Sequence, residues 1–240
     1  MHDRILNIEN LSKSFNGLKL FDDVNISLNE GTVNALFGSN GSGKTTLFNL
    51  IAGFDKPDTG KIHFNGLTIK YHNEFSIAKS GIGKMWQEPT IFPNHTVMQN
   101  MLVSEKIHPG EYLHNYVFKL NTIRKREAES KDKAIDILLK FNMVKKREHL
   151  AGSLSLGERK LLSISMLLMN NALLFLLDEP FSSVKPDTIE IISNALLKLK
   201  AEGKTVFMIE HKIKFAQKIS DHCFKIENYK IESLDLNEIM

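Results

Sequence analysis

The chain has 240 residues, 42% hydrophobic and 25% charged, enough to bury a sizeable core as one domain or as a core carrying a lobe. Its 31 basic and 28 acidic residues are dispersed and leave a net charge of +3, which demands no nucleic-acid partner. No apolar run reaches the roughly 18 residues of a membrane span, the N-terminus lacks the apolar stretch of a secretory signal, and the single cysteine, Cys223, excludes an intramolecular disulfide and fits a reducing compartment.

Residues 5–11 alternate apolar and polar with period two, as a strand with one buried face does. Residues 12–17 read as a break that ends in the Asn16-Gly17 turn signal. Phe15 in that break has two readings: a core aromatic, or an exposed platform for an adenine ring once the motifs below are counted. A second strand, residues 21–28, closes on the Asn29-Glu30-Gly31 turn.

Residues 33–37 are a short apolar strand that feeds Gly38-Ser39-Asn40-Gly41-Ser42-Gly43-Lys44-Thr45-Thr46, and residues 47–52 continue as a helix. Strand, glycine loop and helix in this register make a phosphate-binding loop. The glycines let backbone N–H groups curl around an anion without Cβ clashes. The helix start adds unpaired N–H groups and partial positive charge. Lys44 is placed to reach the β- and γ-phosphates of a nucleotide, and Thr45 to ligate Mg²⁺.

A loop at 53–60 leads to a short strand and turn at 61–66, so several early strands in hairpin order predict an antiparallel sheet beside the nucleotide core. His63 alternates with Ile62 and Phe64 and reads as a surface strand residue. The nine histidines show no zinc-ligand spacing. Gly81-Ile82-Gly83-Lys84 opens a further strand, which Met85-Trp86-Gln87-Glu88-Pro89 ends, because proline cannot continue the ladder.

From about 96 to 150 the composition changes. Residues 121–140 are dense in Lys, Arg, Glu and Ala, with Ala134, Ile135, Leu138 and Leu139 as the expected apolar stripe of an amphipathic helix in a lobe inserted into the core. The basic triplets 124–126 and 145–147 are punctuated or bordered by acidic residues and read as a solvated face. Ser155 is placed to cap the helix that follows, and its hydroxyl with that helix start makes a second possible anion site.

Residues 173–177 are five consecutive apolar residues, the pattern of a strand buried on both faces inside a parallel sheet. Asp178 and Glu179 at its end are costly to bury without work or partners. Ligands of such sheets gather at the C-terminal strand ends. Asp178 is therefore placed to hold Mg²⁺, and Glu179, pointing the other way, to orient or deprotonate a water. A helix at 188–199 leads to a strand at 205–209 that ends at His211, whose imidazole can donate a hydrogen bond to a phosphate oxygen. A final strand at 223–226 and a short polar tail complete the chain.

Taken together, these residues resemble the ATP-binding subunits of ABC transporters over nearly the whole chain. Gly38 to Thr45, Gln87, Leu154-Ser155-Leu156-Gly157-Glu158, Asp178-Glu179 and His211 carry the likeness in family order and spacing. Finer likeness is to the branched-chain amino acid and lipopolysaccharide-export types, through Leu36-Phe37-Gly38, residues 46–51, residues 151–155 and Ile209-Glu210-His211-Lys212. The resemblance implies an α/β fold: a P-loop NTPase of the ABC ATPase kind, with a RecA-like core, an antiparallel β-subdomain and an inserted helical subdomain. It divides a single ABC ATPase domain, residues 1–240, into core and β-subdomain at 1–87 and 165–240 and helical subdomain at 88–164.

By the same likeness, ATP is bound by Phe15 stacking on adenine and by the loop residues Gly38, Ser39, Asn40, Gly41, Ser42, Gly43, Lys44, Thr45 and Thr46. Thr45, Gln87 and Asp178 hold Mg²⁺, and Glu179, Gln87 and His211 form the catalytic set. Ser155, Gly157 and Glu158 close on ATP held by an opposite subunit, which implies a head-to-tail homodimer or heterodimer. Gln87 senses Mg²⁺, the attacking water and a membrane partner. The implied function is ATP hydrolysis that powers a separate permease from the cytoplasmic face of the cell membrane, with no nucleic acid. The alternatives are a soluble non-transport ABC-type ATPase and an ATP-binding module with weak hydrolysis. Leu156, Glu158 and Lys185 depart from the usual family residues, Lys185 by putting a cation in the loop after Pro180, where it can alter the dimer contact. The short end after Asn228 leaves little room for a regulatory domain.

Overall fold

The computed structural model describes residues 4–69, 77, 79–105 and 120–234. Part of the expected helical lobe, residues 106–119, and the tail residues 235–240 lie outside the described residues. Strands β1 (Arg4–Phe15), β2 (Leu18–Asn29), β4 (Thr59–Phe64) and β5 (Leu67–Thr68) form a four-stranded sheet in the order β2-β1-β4-β5, antiparallel throughout. This is the antiparallel sheet that the hairpin-like order of the early strands predicts.

The second sheet has six strands in the order β10-β9-β3-β8-β7-β6. They are β3 (Val33–Gly38), β6 (Ile82–Met85), β7 (Leu174–Asp178), β8 (Thr205–Ile209), β9 (His222–Glu227) and β10 (Lys230–Leu234). All pairings are parallel except that of the edge strand β10 with β9. Every residue of β7 and β8 is buried, as strands covered on both faces require. Alternation splits β3 between two cores. Val33, Ala35 and Phe37 join the helical side, whereas Leu36 joins the side that holds the antiparallel sheet and α1 (Lys44–Ala52).

The helical side carries α2 (Val97–Val103), α3 (Leu120–Lys140), α4 (Leu156–Met169), α5 (Pro186–Ala201) and the short α6 (Ile213–Gln217). Thr96 caps α2 through a reciprocal pair with Gln99, at 3.1 and 2.8 Å. Among the described residues, no helix is long and apolar enough to cross a membrane.

Three sequence expectations are corrected. Strand β1 continues through the supposed break at 12–15 and pairs with β2 as far as Phe15↔Leu18, so only Asn16-Gly17 turns. Register shifts between Ile8 and Ser14 absorb the irregular pattern that reads as a break. The inward stripe of α3 is Ala134, Ile137 and Leu138, at i, i+3 and i+4, continued just past the helix end by Phe141, while Leu139 is half exposed. Residues 230–234 are not a polar tail but the strand β10. Asn228 and Tyr229 turn the chain at φ of 50° and 65°, the left-handed pair of a two-residue hairpin, without the glycine that usually signals it.

Cys223 lies in β9 with no exposed surface, and burial pushes its thiol up to about 11. It is therefore protonated and shielded at pH 8. A maleimide is expected to label the folded protein at least ~100-fold more slowly than the chain in denaturant, because reaction requires opening of the sheet. Labelling at equal rates would show that β9 does not hold its place beside β3.

Candidate nucleotide site

The site forms where the parallel strands end. Register pairs Leu36 with Ile209 and Asp178 with Ile209, so β3, β8 and β7 deliver Gly38, Glu210 and Glu179 to one edge. Gly43 closes the loop after β3 and caps α1 at φ 99°, a conformation that disfavours any residue with a Cβ. A Cβ there would also meet Phe21 Cζ at 2.8 Å. The cavity at this edge has a volume of about 440 Å³. Asn40, Gly41, Gly43, Lys44, Thr45 and Thr46 of the loop line it together with Gln87, Asp178, Glu179 and His211.

Lys44 is 7% exposed, and its ammonium donates to the carbonyls of Gly38 and Ser39 at 2.9 and 2.8 Å. One of its three protons remains for an anion in the cavity. Burial lowers its pKa, opposed by the charges of Glu179 and Asp178. The Ser42 hydroxyl is buried against Gly38, where a Cβ would stand 2.7 Å from it, and has no hydrogen-bond partner among the described residues.

Asp178 is 4% exposed. Desolvation pushes its carboxyl up, countered by the Thr45 hydroxyl, which donates to Oδ2 at 3.0 Å, and by the Lys84 and Lys44 charges. The hydroxyl of Thr45, the carboxylate of Asp178 and the amide oxygen of Gln87 are hard oxygen donors, the set that suits Mg²⁺ and not zinc. Among the described residues, no group of three or more His, Cys, Asp or Glu side chains could hold a metal by themselves. His63 meets the Thr68 hydroxyl and Glu9 at the surface, as its alternation predicts.

Glu179 stands between two neighbours. Gln87 Nε2 donates to one carboxylate oxygen at 2.9 Å, and His211 Nε2 lies 3.2 Å from the other. Glu179 is left-handed at φ 52°, uncommon for a non-glycine residue and a mark of functional sites. Three sequence-predicted groups thus meet within one cluster.

Other predicted residues lie apart from this cavity. Ser155, Gly157 and Glu158 do not line it. Ser155 caps α4, with Glu158 reaching back to its N–H at 3.0 Å and Lys146 pairing with Glu158. Burial pushes the Glu158 carboxyl up, but its bonds to Lys146 and Ser155 outweigh this and hold it low. Gly157 is buried where α4 meets the start of α5, and a Cβ would stand 2.1 Å from Thr188 Cγ2. Phe15 is 45% exposed, which removes its core reading, and Lys13 Nζ stands 4.7 Å from its ring centroid.

Sequence reasoning passed over three buried or half-buried ions. Lys84, at the end of β6, bonds to Asn49 and stands 3.5 Å from the Trp86 ring centroid. Desolvation lowers its pKa to about 8 against the raising effect of Asp178. Lys160 and Glu210 are fully buried behind Glu179. Lys160 could have been found, since Gly157, Lys160, Leu161 and Ile164 share the inward face of α4.

A family model described as ABC transporter matches residues 21–182. The chain is 37% identical to the probable branched-chain amino acid transport ATP-binding protein LivG of Methanocaldococcus jannaschii, over 95% of this chain and 88% of that protein. It is 31% identical, over 95% and 88%, to the lipopolysaccharide export system ATP-binding protein LptB of Haemophilus influenzae. A solved nucleotide-free ATP-binding cassette from an ABC transporter superposes with a TM-score of 0.83 at 34% identity, covering 98% of this chain and 94% of its own. A cassette solved in its ADP conformation gives a TM-score of 0.83 at 36% identity, covering 96% and 90%.

Removing the Lys44 ammonium takes the buried counter-charge from the loop. Lys44→Ala is expected to weaken ATP binding by about 10–100-fold in calorimetric titration, the worth of one charged hydrogen bond, while the protein stays folded. An unchanged affinity would sink the assignment of this loop.

Proposed function

The chain belongs to the ABC transporter family, and from that premise we propose how its residues divide the work of an ATP-driven engine. It is an ATP-binding and ATP-hydrolysing nucleotide-binding subunit, of the kind that acts with a separate membrane permease. In the proposed division, residues 1–87 and 165–240 form the nucleotide core with its β-subdomain, and residues 88–164 the helical lobe. The observation that carries the assignment of roles is the cluster of Gln87, Glu179 and His211 facing the phosphate loop across one cavity.

The N–H groups of the loop and of the start of α1 bind the β- and γ-phosphates, and Lys44 contributes its remaining proton. Phe15, exposed at the end of β1, is the proposed adenine platform. Thr45, Asp178 and Gln87 would hold Mg²⁺, which supplies charge neutralisation to the phosphates. Glu179 accepts a proton from the attacking water as its oxygen bonds to the γ-phosphorus and the bond to the β–γ bridging oxygen breaks. Gln87 orients that carboxylate, and His211 donates toward a γ-phosphate oxygen. Ser155, Gly157 and Glu158, which lie away from the cavity of their own chain, are proposed to meet nucleotide on a second ATPase subunit in a head-to-tail dimer. The permease would seat the dimer on the inner face of the membrane. Two relatives are named for different cargoes, branched-chain amino acids and lipopolysaccharide, so the permease is the part proposed to choose cargo.

Glutamine has nearly the shape of glutamate but cannot take a proton from water. Glu179→Gln is expected to bind Mg-ATP at least as well as the wild type, to form a long-lived closed dimer, and to hydrolyse ~10²–10⁴-fold more slowly. Single-turnover hydrolysis with the protein in saturating excess over Mg-ATP, with light scattering for the dimer, measures both. A near wild-type rate would remove Glu179 from the catalytic role.

A further inference from the structure

Behind Glu179 the chain makes a turn that its local sequence does not favour. Glu179 is left-handed at φ 52°, although the residue before a proline prefers extended backbone. Two fully buried side chains of opposite charge hold this turn from either side. On one side, Lys160 of α4 has no exposed surface, and its ammonium donates to the Glu179 carbonyl at 2.6 Å and to the Ser182 carbonyl and hydroxyl at 2.9 Å each. The Ser182 hydroxyl in turn donates to the Glu179 carbonyl at 3.0 Å. Three protons meet three oxygens, so the ammonium is fully used within the turn.

On the other side, Glu210 is 1% exposed. One carboxylate oxygen accepts from the Phe181 N–H at 2.6 Å, and the other from the His211 and Lys212 N–H groups at 3.1 and 3.4 Å. Glu210 therefore grips both the turn that carries Glu179 and the residue that carries the imidazole. Lys160 and Glu210 attract each other, and Asp178, Glu179 and Lys212 are the remaining charges that act on Lys160. No hydrogen bond joins the two: each holds the turn through its own backbone partners, and loss of either leaves buried groups of the turn unpaired.

We propose that Lys160 and Glu210 are positioning residues for catalysis: a pair of opposite buried charges that clamp the Glu179–Ser182 turn, aim the Glu179 carboxylate and the His211 imidazole at one point, and tie both to α4. The consequence is a mechanical link. Lys160 sits less than two helical turns after the Ser155 cap, so α4 and the turn bearing Glu179 move as one body. Whatever engages the start of α4 is thereby coupled to the carboxylate of the same chain. This inference rests on the assignment of Glu179 as the group that takes the water proton.

The test is single-turnover hydrolysis with the full chain in excess over Mg-ATP, across a range of chain concentrations, because at saturation the rate constant does not change with the fraction of protein folded. Lys160→Met keeps the length and removes the charge. Its rate constant is expected to fall by about 10–100-fold, the usual cost of a misplaced catalytic group, with half-saturation within about threefold of the wild type. Lys160→Arg is expected to recover part of the loss. Glu210→Gln is expected to slow the same step, and the double variant to be less impaired than the product of the two single losses, as two groups that hold one turn require. If Lys160→Met does not fold, Ser182→Ala removes only the hydroxyl and is expected to show a smaller fall in rate constant, again with unchanged half-saturation. A wild-type rate constant in the folded variants, or a loss that appears only in half-saturation, overturns the clamp. Glu179→Gln in the same assay separates the two claims. A slow Glu179→Gln beside a wild-type-rate Lys160→Met removes the clamp alone, whereas a wild-type-rate Glu179→Gln removes the assignment of Glu179 and the clamp with it.

Discussion

Parallel pairing of β3 with β8 and of β8 with β7 sets where chemistry can take place in this molecule. Because these strands run the same way in matched register, Glu179 and Glu210 leave the sheet at one level, with Gly38 one residue beyond. The ladder even continues past the strands: the Glu179 N–H donates to the Ile209 carbonyl at 3.0 Å, and the Glu210 N–H to the Leu36 carbonyl at 3.2 Å. A one-residue slip of β7 would turn Asp178 away from Thr45. The apolar residues of these strands, packed on both faces, make such a slip costly.

That edge also collects the ions that a core ordinarily excludes. Lys44, Lys160, Asp178 and Glu210 are all nearly or fully buried there. Each finds backbone or hydroxyl partners: carbonyls for the ammonium groups, N–H groups for Glu210 and the Thr45 hydroxyl for Asp178. A site built this way is stiff, since a buried charge tolerates few orientations. Surface pairs such as Lys19–Asp22 or Lys225–Glu227 contribute little by comparison.

The sequence displays the phosphate loop, the acidic strand end and the buried strands because each is a local signal: glycine spacing, an apolar run, a carboxylate where the run stops. The β10 hairpin was hidden because Asn228-Tyr229 adopts left-handed backbone without glycine. The run of β1 past Ser12 was hidden because its register shifts break the alternation that marks a strand. Leu138 and Leu139 look alike in composition, and only Ile137 and Phe141, at i+3 and i+7 from Ala134, set the phase that turns Leu139 outward. The roles of Lys160 and Glu210 were illegible for a different reason. Their partners are backbone groups of a turn distant in sequence, and no residue pattern encodes a carbonyl's position.

One triphosphate, held by the loop after β3, is proposed to face Glu179 across the cavity. A crystal structure of the full chain with Mg²⁺ and a non-hydrolysable ATP analogue tests it most directly. Mg²⁺ is expected at about 2.1 Å from Thr45 Oγ1, Lys44 Nζ within about 3 Å of β- or γ-phosphate oxygens, and Glu179 within one water of the γ-phosphorus. A triphosphate seated elsewhere, such as in the neighbouring cavity beside Lys225 and Leu234, would contradict it.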